Sequence, residues 1–332
     1  MQNNTQKKTS YGHAIREGFE YLLEKHPEVF IIGQGLWSPW YVGNSMTELD
    51  KQFGKDRVID TPVSEAACTG AGVGAALSGM RPIVVHPRID FMLYAIDPIV
   101  NQAAKWSHMT GGQANAPVTI RGIINRGGEQ GAQHSQSLHS WFAHIPGLRV
   151  VMPSTPKDAR DLLIASVLCD DPVIYIDDRW LYELEDNLEE IVEIDLKEIK
   201  PSISIKGDDL TIVSSGFSSQ IAREVSSRLS IEGISSEVID CRVLNPLDPE
   251  IIISSVEKTR RLVAVDGGWS NCGFASEIIT SVVESINPQI LDKKPMRITL
   301  PSAPAPTARN LEKIYYPDSD SVFTDIISFL NN

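Results

Sequence analysis

Residues Asp60–Gly79 read DTPVSEAACTGAGVGAALSG, and the fold turns on how that stretch is understood. It opens as a turn, with Ser64 placed to cap a helix whose first turn holds Glu65. Alanines and glycines follow, small enough to let a second backbone or a flat ligand come close. One carboxylate in an otherwise uncharged, small-residue helix is costly to bury without a partner or a task. Two uses of Glu65 stand level on physics alone: an acid complementing the helix dipole, or a carboxyl group that meets a ligand. Gly70, Gly72 and Gly74 suggest a dinucleotide fingerprint, but that motif needs G-x-G-x-x-G directly after a strand. Here the glycines lie inside the helix, and close helix packing accounts for them better.

Working outward, Tyr11–Lys25 has helical spacing, with Ile15, Phe19, Leu22 and Leu23 on one stripe. The apolar run VFIIG at 29–33 reads as a buried strand, followed by the aromatic loop QGLWSPWYVG. Residues 46–53 read as a short helix and 57–60 as a strand. Past the opening stretch, 81–85 is a strand ending at HPRIDF. A helix over 91–108, bent at Pro98, precedes a β-rich run over 117–124. NRGGEQGAQHSQS is a polar, Gly-rich loop. A strand at 148–152, a helix at 156–168 and a strand at 172–176 complete the series. This alternation predicts an α/β fold, a doubly wound parallel sheet covered by helices.

The stretch 183–198 carries eight acids and one lysine and reads as a solvated linker. A second α/β series follows: strands at 210–214, 236–241, 261–266 and 296–300, with helices at 218–229, 249–256, 273–286 and 319–330. We therefore expect two doubly wound domains, 1–185 and 207–332, joined by an acidic linker over 186–206.

Composition narrows the function. The 332 residues are 42% hydrophobic and 22% charged, ordinary globular values. A net charge of −13 and a pI near 5.0 argue against nucleic-acid binding. No apolar run is long enough to span a bilayer, and MQNNTQKKTS has no signal-peptide core. The chain reads as cytoplasmic. Cys68, Cys169, Cys241 and Cys272 are scattered and read as buried small hydrophobes; no metal-ligand spacing is present. G-x-S-x-G, H-E-x-x-H and P-loop motifs are absent. His134, between Gln133 and Ser135, sits where a loop histidine could be held for proton transfer. Phe91 reads as core or as a stacking surface. His86, Arg88, Asp90 and Tyr94 cluster after a strand end, where open α/β sheets bind ligands.

The segments IDTPVSEAACTGAGVGAALSGMRPIV, AIDPIVNQAAKW, GAQHSQSLHSWFAHIPGLRVVMPSTPKDARDLL, DGGWSNCGFASEI and PAPTARNLEKIYYP occur in this order. Together, over about Ser10 to Ile326, they resemble the beta subunit of the decarboxylase component of 2-oxo acid dehydrogenase complexes. The resemblance implies a transketolase-type pyrimidine-binding domain followed by a transketolase C-terminal domain. It implies thiamine diphosphate shared with an alpha subunit that holds most of the magnesium site through a GDG motif absent here. Two alpha and two beta chains, a lipoyl acyltransferase core and a 2-oxo acid such as pyruvate are the expected partners.

Carried over by position, Glu65 matches the cofactor-activating glutamate, which hydrogen-bonds a ring nitrogen of the aminopyrimidine and favours its imino form. Burial among small neighbours is expected to raise its pKa. Phe91 matches the ring that packs on the pyrimidine, and His134 the substrate-side histidine. Departures are informative. Where relatives carry GEE or GED after the first strand, this chain has Gly33-Gln34-Gly35, which puts Gln34 at the cofactor. HPRID replaces a more apolar run, so His86 and Arg88, with Tyr94, either face a more polar or anionic substrate or pair structurally with Asp90. Some relatives hold structural potassium near the end of the 160–172 helix; here Cys169 replaces an acid, though Asp170 and Asp171 follow. Two other readings stay open. One is half of a split transketolase-like or carboligase enzyme in a specialised biosynthetic pathway. The other is a non-catalytic assembly subunit.

Overall fold

The structure, a computed structural model, describes residues 8–38 and 42–331; residues 39–41 of the aromatic loop fall outside it. Two compact units emerge. One takes the described residues through Ile124 together with Phe142–Ile199; the other takes Asn125–Trp141 together with Lys200 onward.

In the first unit α1 (Tyr11–Lys25) starts at Ser10, whose hydroxyl accepts from the His13 N–H at 3.4 Å. Its predicted stripe is buried. Next come β1 (Val29–Gln34), β2 (Val58–Thr61), α2 (Glu65–Leu77), β3 (Arg81–His86), β4 (Thr119–Ile124), β5 (Arg149–Val151), α3 (Pro156–Leu168) and β6 (Val173–Asp178). Within this unit the strands run β5-β6-β4-β3-β1-β2, all parallel. Gly33 of β1 lies opposite Val85 of β3, and a Cβ there would come within 2.3 Å of the Val85 carbonyl oxygen. Only glycine fits that approach.

The helix expected over 91–108 is broken. Phe91–Ala95 is a 3-10 turn, Asp97–Ala103 a π turn and Trp106–Met109 a single α turn. Pro98 sits at the start of the π turn; it donates no hydrogen bond and crowds the preceding turn, so the ladder widens around it. The acidic stretch, mostly exposed, is tied down at a few points. Glu193 accepts from the Tyr21 hydroxyl at 3.0 Å and lies 3.0 Å from His26 Nε2, while the Glu189 carbonyl accepts from Arg160 at 2.8 Å. Inside the unit, buried Arg121 makes two 2.8 Å bonds to Asp177 and further bonds to Ser45 and Tyr182, so its charge is matched where water is absent.

The second unit contains β7 (Ser202–Ile205), β8 (Leu210–Ser214), α4 (Phe217–Ile231), β9 (Ser236–Asp240), α5 (Glu250–Thr259), β10 (Leu262–Trp269), α6 (Phe274–Ser285), β11 (Met296–Leu300), α7 (Arg309–Tyr315) and α8 (Ser319–Asn331). The five strands of its sheet are ordered β11-β10-β8-β9-β7. All pairs are parallel except β7 with β9, which is antiparallel. Sequence reading left β7 in the linker and missed α7. Leu210, Ile212, Val225, Val238, Val263 and Ile326 form part of this unit's core. The Gly-rich loop Asn125–Trp141 follows β4 in sequence yet belongs to this unit.

Candidate active site

In the first unit β1 continues to β2 on one side of the sheet and β3 continues to β4 on the other. The carboxyl ends of β1 and β3 therefore flank a topological switch point, the place where open α/β sheets take ligands. Gln34 ends β1, half-buried and opposite Thr61. The turn beyond it is tied to β2: Asp60 Oδ1 accepts from the Leu36 N–H at 3.2 Å and the Thr61 N–H at 3.0 Å.

Glu65 opens α2 four residues after β2 ends. Ser64 holds the N-cap position but makes no side-chain cap bond. Glu65 itself is half-buried, and Ala66, Ala67, Gly70, Ala71 and Gly74 around it are exposed. Within this chain the surrounding side chains are too small to cover it. The glycines divide accordingly. A Cβ on Gly72 would meet Val84 Cγ2 at 2.5 Å, whereas at Gly70 and Gly74 nothing lies within 4 Å. Helix packing explains the first and not the other two.

Beyond β3, the residues singled out in HPRIDF and Tyr94 are spread from core to surface. His86 is 2% exposed and its Nε2 lies 3.1 Å from Thr69 Oγ1 on α2. Burial pushes its pKa down to about 4, so it is neutral at pH 7. Of the two readings offered for His86, a substrate-facing ring or a structural one, the chain holds it inside, beneath α2. Arg88 and Phe91 are half-buried, with the Phe91 N–H donating to the Arg88 carbonyl at 3.2 Å. Tyr94 stands on the surface. The turn holding Phe91 packs against α2, so carboxylate, aromatic ring and small-residue face belong to neighbouring elements.

His134 belongs to the second unit. It is half-buried, and its N–H donates to the Gly131 carbonyl at 3.4 Å. Three residues of the same unit that sequence reading passed over lie close to that loop. His139 is fully buried, with Nδ1 2.9 Å from Ser137 Oγ and Nε2 2.9 Å from Asp266 Oδ1. Asp266 also accepts from the Gly268 and Ala275 N–H groups at 2.9 and 3.1 Å. Burial alone would raise its pKa, but the His139 ring and these N–H donors outweigh burial and lower it. Arg126 is buried beside Gly267. The legible signal was DGG following an apolar strand: an acid at a strand end, with two residues that leave space beside it.

Among the described residues no group of three or more His, Cys, Asp or Glu could hold a metal ion. At the end of α3 the Val167 and Cys169 carbonyls accept from Arg81 at 3.0 and 2.9 Å, and Asp170 binds the same guanidinium at 2.6 Å. A cation already complements that helix end. No helix among the described residues is long and apolar enough to cross a membrane.

Residues 7–183 match the model of the transketolase pyrimidine-binding domain and residues 200–322 that of the transketolase C-terminal domain. The beta subunit of an acetoin:2,6-dichlorophenolindophenol oxidoreductase from Bacillus subtilis is 35% identical, over 97% of this chain and 97% of its own length. The beta subunit of the pyruvate dehydrogenase E1 component of Rhizobium meliloti is 37% identical, over 92% of this chain and 66% of its own. A mitochondrial beta-1 subunit of the same component from Oryza sativa is 38% identical, over 95% and 85%. Among solved structures, a split-gene transketolase described as an inactive beta4 tetramer superposes with a TM-score of 0.77 at 18% identity, covering 98% of this chain and 99% of that one. At that identity the likeness shows the fold alone.

Proposed function

Because the chain belongs to the transketolase-like family that includes the pyruvate and acetoin dehydrogenase beta subunits, we propose that it is the beta half of a cytoplasmic, thiamine-diphosphate-dependent 2-oxo acid dehydrogenase. With an alpha subunit it decarboxylates a 2-oxo acid such as pyruvate and passes the acyl group to lipoamide. One observation carries the reading: Glu65 opens a helix whose exposed neighbours are all small, beside the Phe91 turn at the switch point. The donor set fits a flat aminopyrimidine, since a carboxyl group can bond a ring nitrogen, a phenyl ring can stack, and the small face leaves room.

Thiamine diphosphate, when bound, supplies the electron sink that lets a 2-oxo acid lose carbon dioxide. This chain's residues do the rest on their side. Glu65 holds a proton at the pyrimidine ring nitrogen, and closure of the site by the alpha subunit dehydrates it in a way its own chain does not. Phe91 stacks against the ring. Gln34 offers an amide where acidic relatives place a carboxylate, so it can donate as well as accept. His134 moves a proton on the substrate side or orients the acyl group. His86 supports α2 from beneath, and Arg88, half-buried after β3, offers a guanidinium to a substrate carboxylate. The alpha subunit holds the diphosphate and magnesium, and Arg81 does at the end of α3 what a potassium ion would do.

The test is to co-purify the chain with its alpha partner and screen 2-oxo acids with an artificial electron acceptor, with and without a lipoyl domain. Turnover of at least one 2-oxo acid, coupled to lipoyl acylation, is expected. Activity on ketose donors with none on 2-oxo acids would instead identify half of a split transketolase.

A further inference from the structure

We infer that the segment Asp266-Gly267-Gly268 in the irregular last part of β10 is a clamp for the His134-bearing loop, and that His139 is a positioning residue working through it. The inference rests on His134 acting at the substrate, as proposed above. The loop touches the rest of its unit at points on both sides of His134. On the near side, Arg126 lies against Gly267, where an added Cβ would stand 2.8 Å from Nη1. The Glu129 N–H donates to buried Glu312 Oε1 of α7 at 2.8 Å. Glu129 is held at φ +63, a left-handed conformation that costs a side-chain-bearing residue energy and persists where neighbours enforce it.

On the far side, Ser137, His139 and Asp266 form a continuous buried chain, closed by the two backbone N–H groups on Asp266. Gly268 completes the receptacle, since a Cβ there would approach His139 Cε1 to 3.0 Å. The His139 nitrogens meet Ser137 and Asp266, so the ring is spent on holding the loop and faces no substrate. Such a chain in a low-dielectric interior is stiff, and losing one member strands the others. A Gly-rich loop has little rigidity of its own. Fixing it on both sides of His134 sets where that imidazole can stand.

The test uses the complex with its alpha partner, carrying His139→Gln, Asp266→Asn or the double variant, with Gly268→Ala as a milder lesion should the others fail to fold. Amide hydrogen exchange across 131–137 and steady-state kinetics are read together. We expect lost protection in that segment, and kcat reduced by roughly 100-fold, the cost of a misplacement of about 1 Å. KM is expected to change little, and the double variant to be no worse than either single one. Unchanged exchange in 131–137, or unchanged kcat, overturns the clamp. If the wild-type complex turns over no 2-oxo acid, the reading of function fails, and exchange alone decides the clamp.

Discussion

Glu65 is where the chemistry of this chain is most exposed to test. Its two possible uses make different demands. An acid that only complements a helix dipole is worth about 0.3–1 kcal/mol of stability and nothing in rate. An acid that holds a proton at a reacting ring is worth roughly 100- to 10,000-fold in rate. Glu65→Gln keeps the shape and removes the charge. In the reconstituted complex we expect turnover to fall within that range while size-exclusion elution stays that of the assembled enzyme; full turnover would leave only the dipole role. His86 predicts a pH effect of definite sign. Burial lowers its pKa from 6.5 to about 4, so the unfolded chain takes up the proton first as pH falls. Stability drops from about pH 6.5 downward and levels off below about pH 4, a loss of about 3 kcal/mol across that window. Thermal melts between pH 7 and 4 should show a flatter dependence for His86→Gln than for the wild type. Equal slopes would place the acid sensitivity elsewhere.

The helix α2 shows how one element can serve two surfaces. Gly72 faces Val84, and Gly70 and Gly74 face open space. Gly72→Ala should lower the stability of the isolated chain by about 1–3 kcal/mol through overpacking. Gly70→Ala should raise it by up to about 1 kcal/mol, because alanine favours a helix. The same Gly70→Ala change should weaken association with the alpha partner, since the new methyl group stands on the exposed face beside Glu65. Denaturant melts and a pull-down separate the two effects, and equal melts for both variants would refute the division. At this scale the sequence was highly legible wherever periodicity is local. The stripe of α1, the apolar strand β1 and the small-residue run of α2 stand close to where their patterns put them. Reading failed where tertiary contacts decide. The 91–108 segment has helical composition, yet Pro98 splits it into three kinds of turn. For His86 the pattern of polar residues after β3 left two readings, and only the three-dimensional contact with a buried threonine favours the structural one. His139 and Asp266 lie 127 positions apart, and no local pattern couples them.

At the scale of the whole molecule, the function proposed above gives this chain the ring-activating half of a site and assigns the other half to a partner. Among its described residues no acidic or histidine cluster could hold magnesium, and its sequence has no P-loop that would cradle a diphosphate. Glu65, half-exposed beside a face of alanines and glycines, is likewise open to a covering partner. On the proposed function, a second chain brings the phosphate and metal ligands and covers Glu65 as it binds. The isolated chain should therefore take up no thiamine diphosphate with magnesium in a calorimetric titration and should decarboxylate nothing. Mixed with the alpha partner, it should form an assembly of two alpha and two beta chains by light scattering, bind the cofactor and gain activity together. Cofactor binding that saturates on the isolated chain, or turnover without the partner, would mean that the phosphate site lies in this chain after all. Binding restored by the partner without turnover of any 2-oxo acid or ketose would point to a non-catalytic assembly subunit.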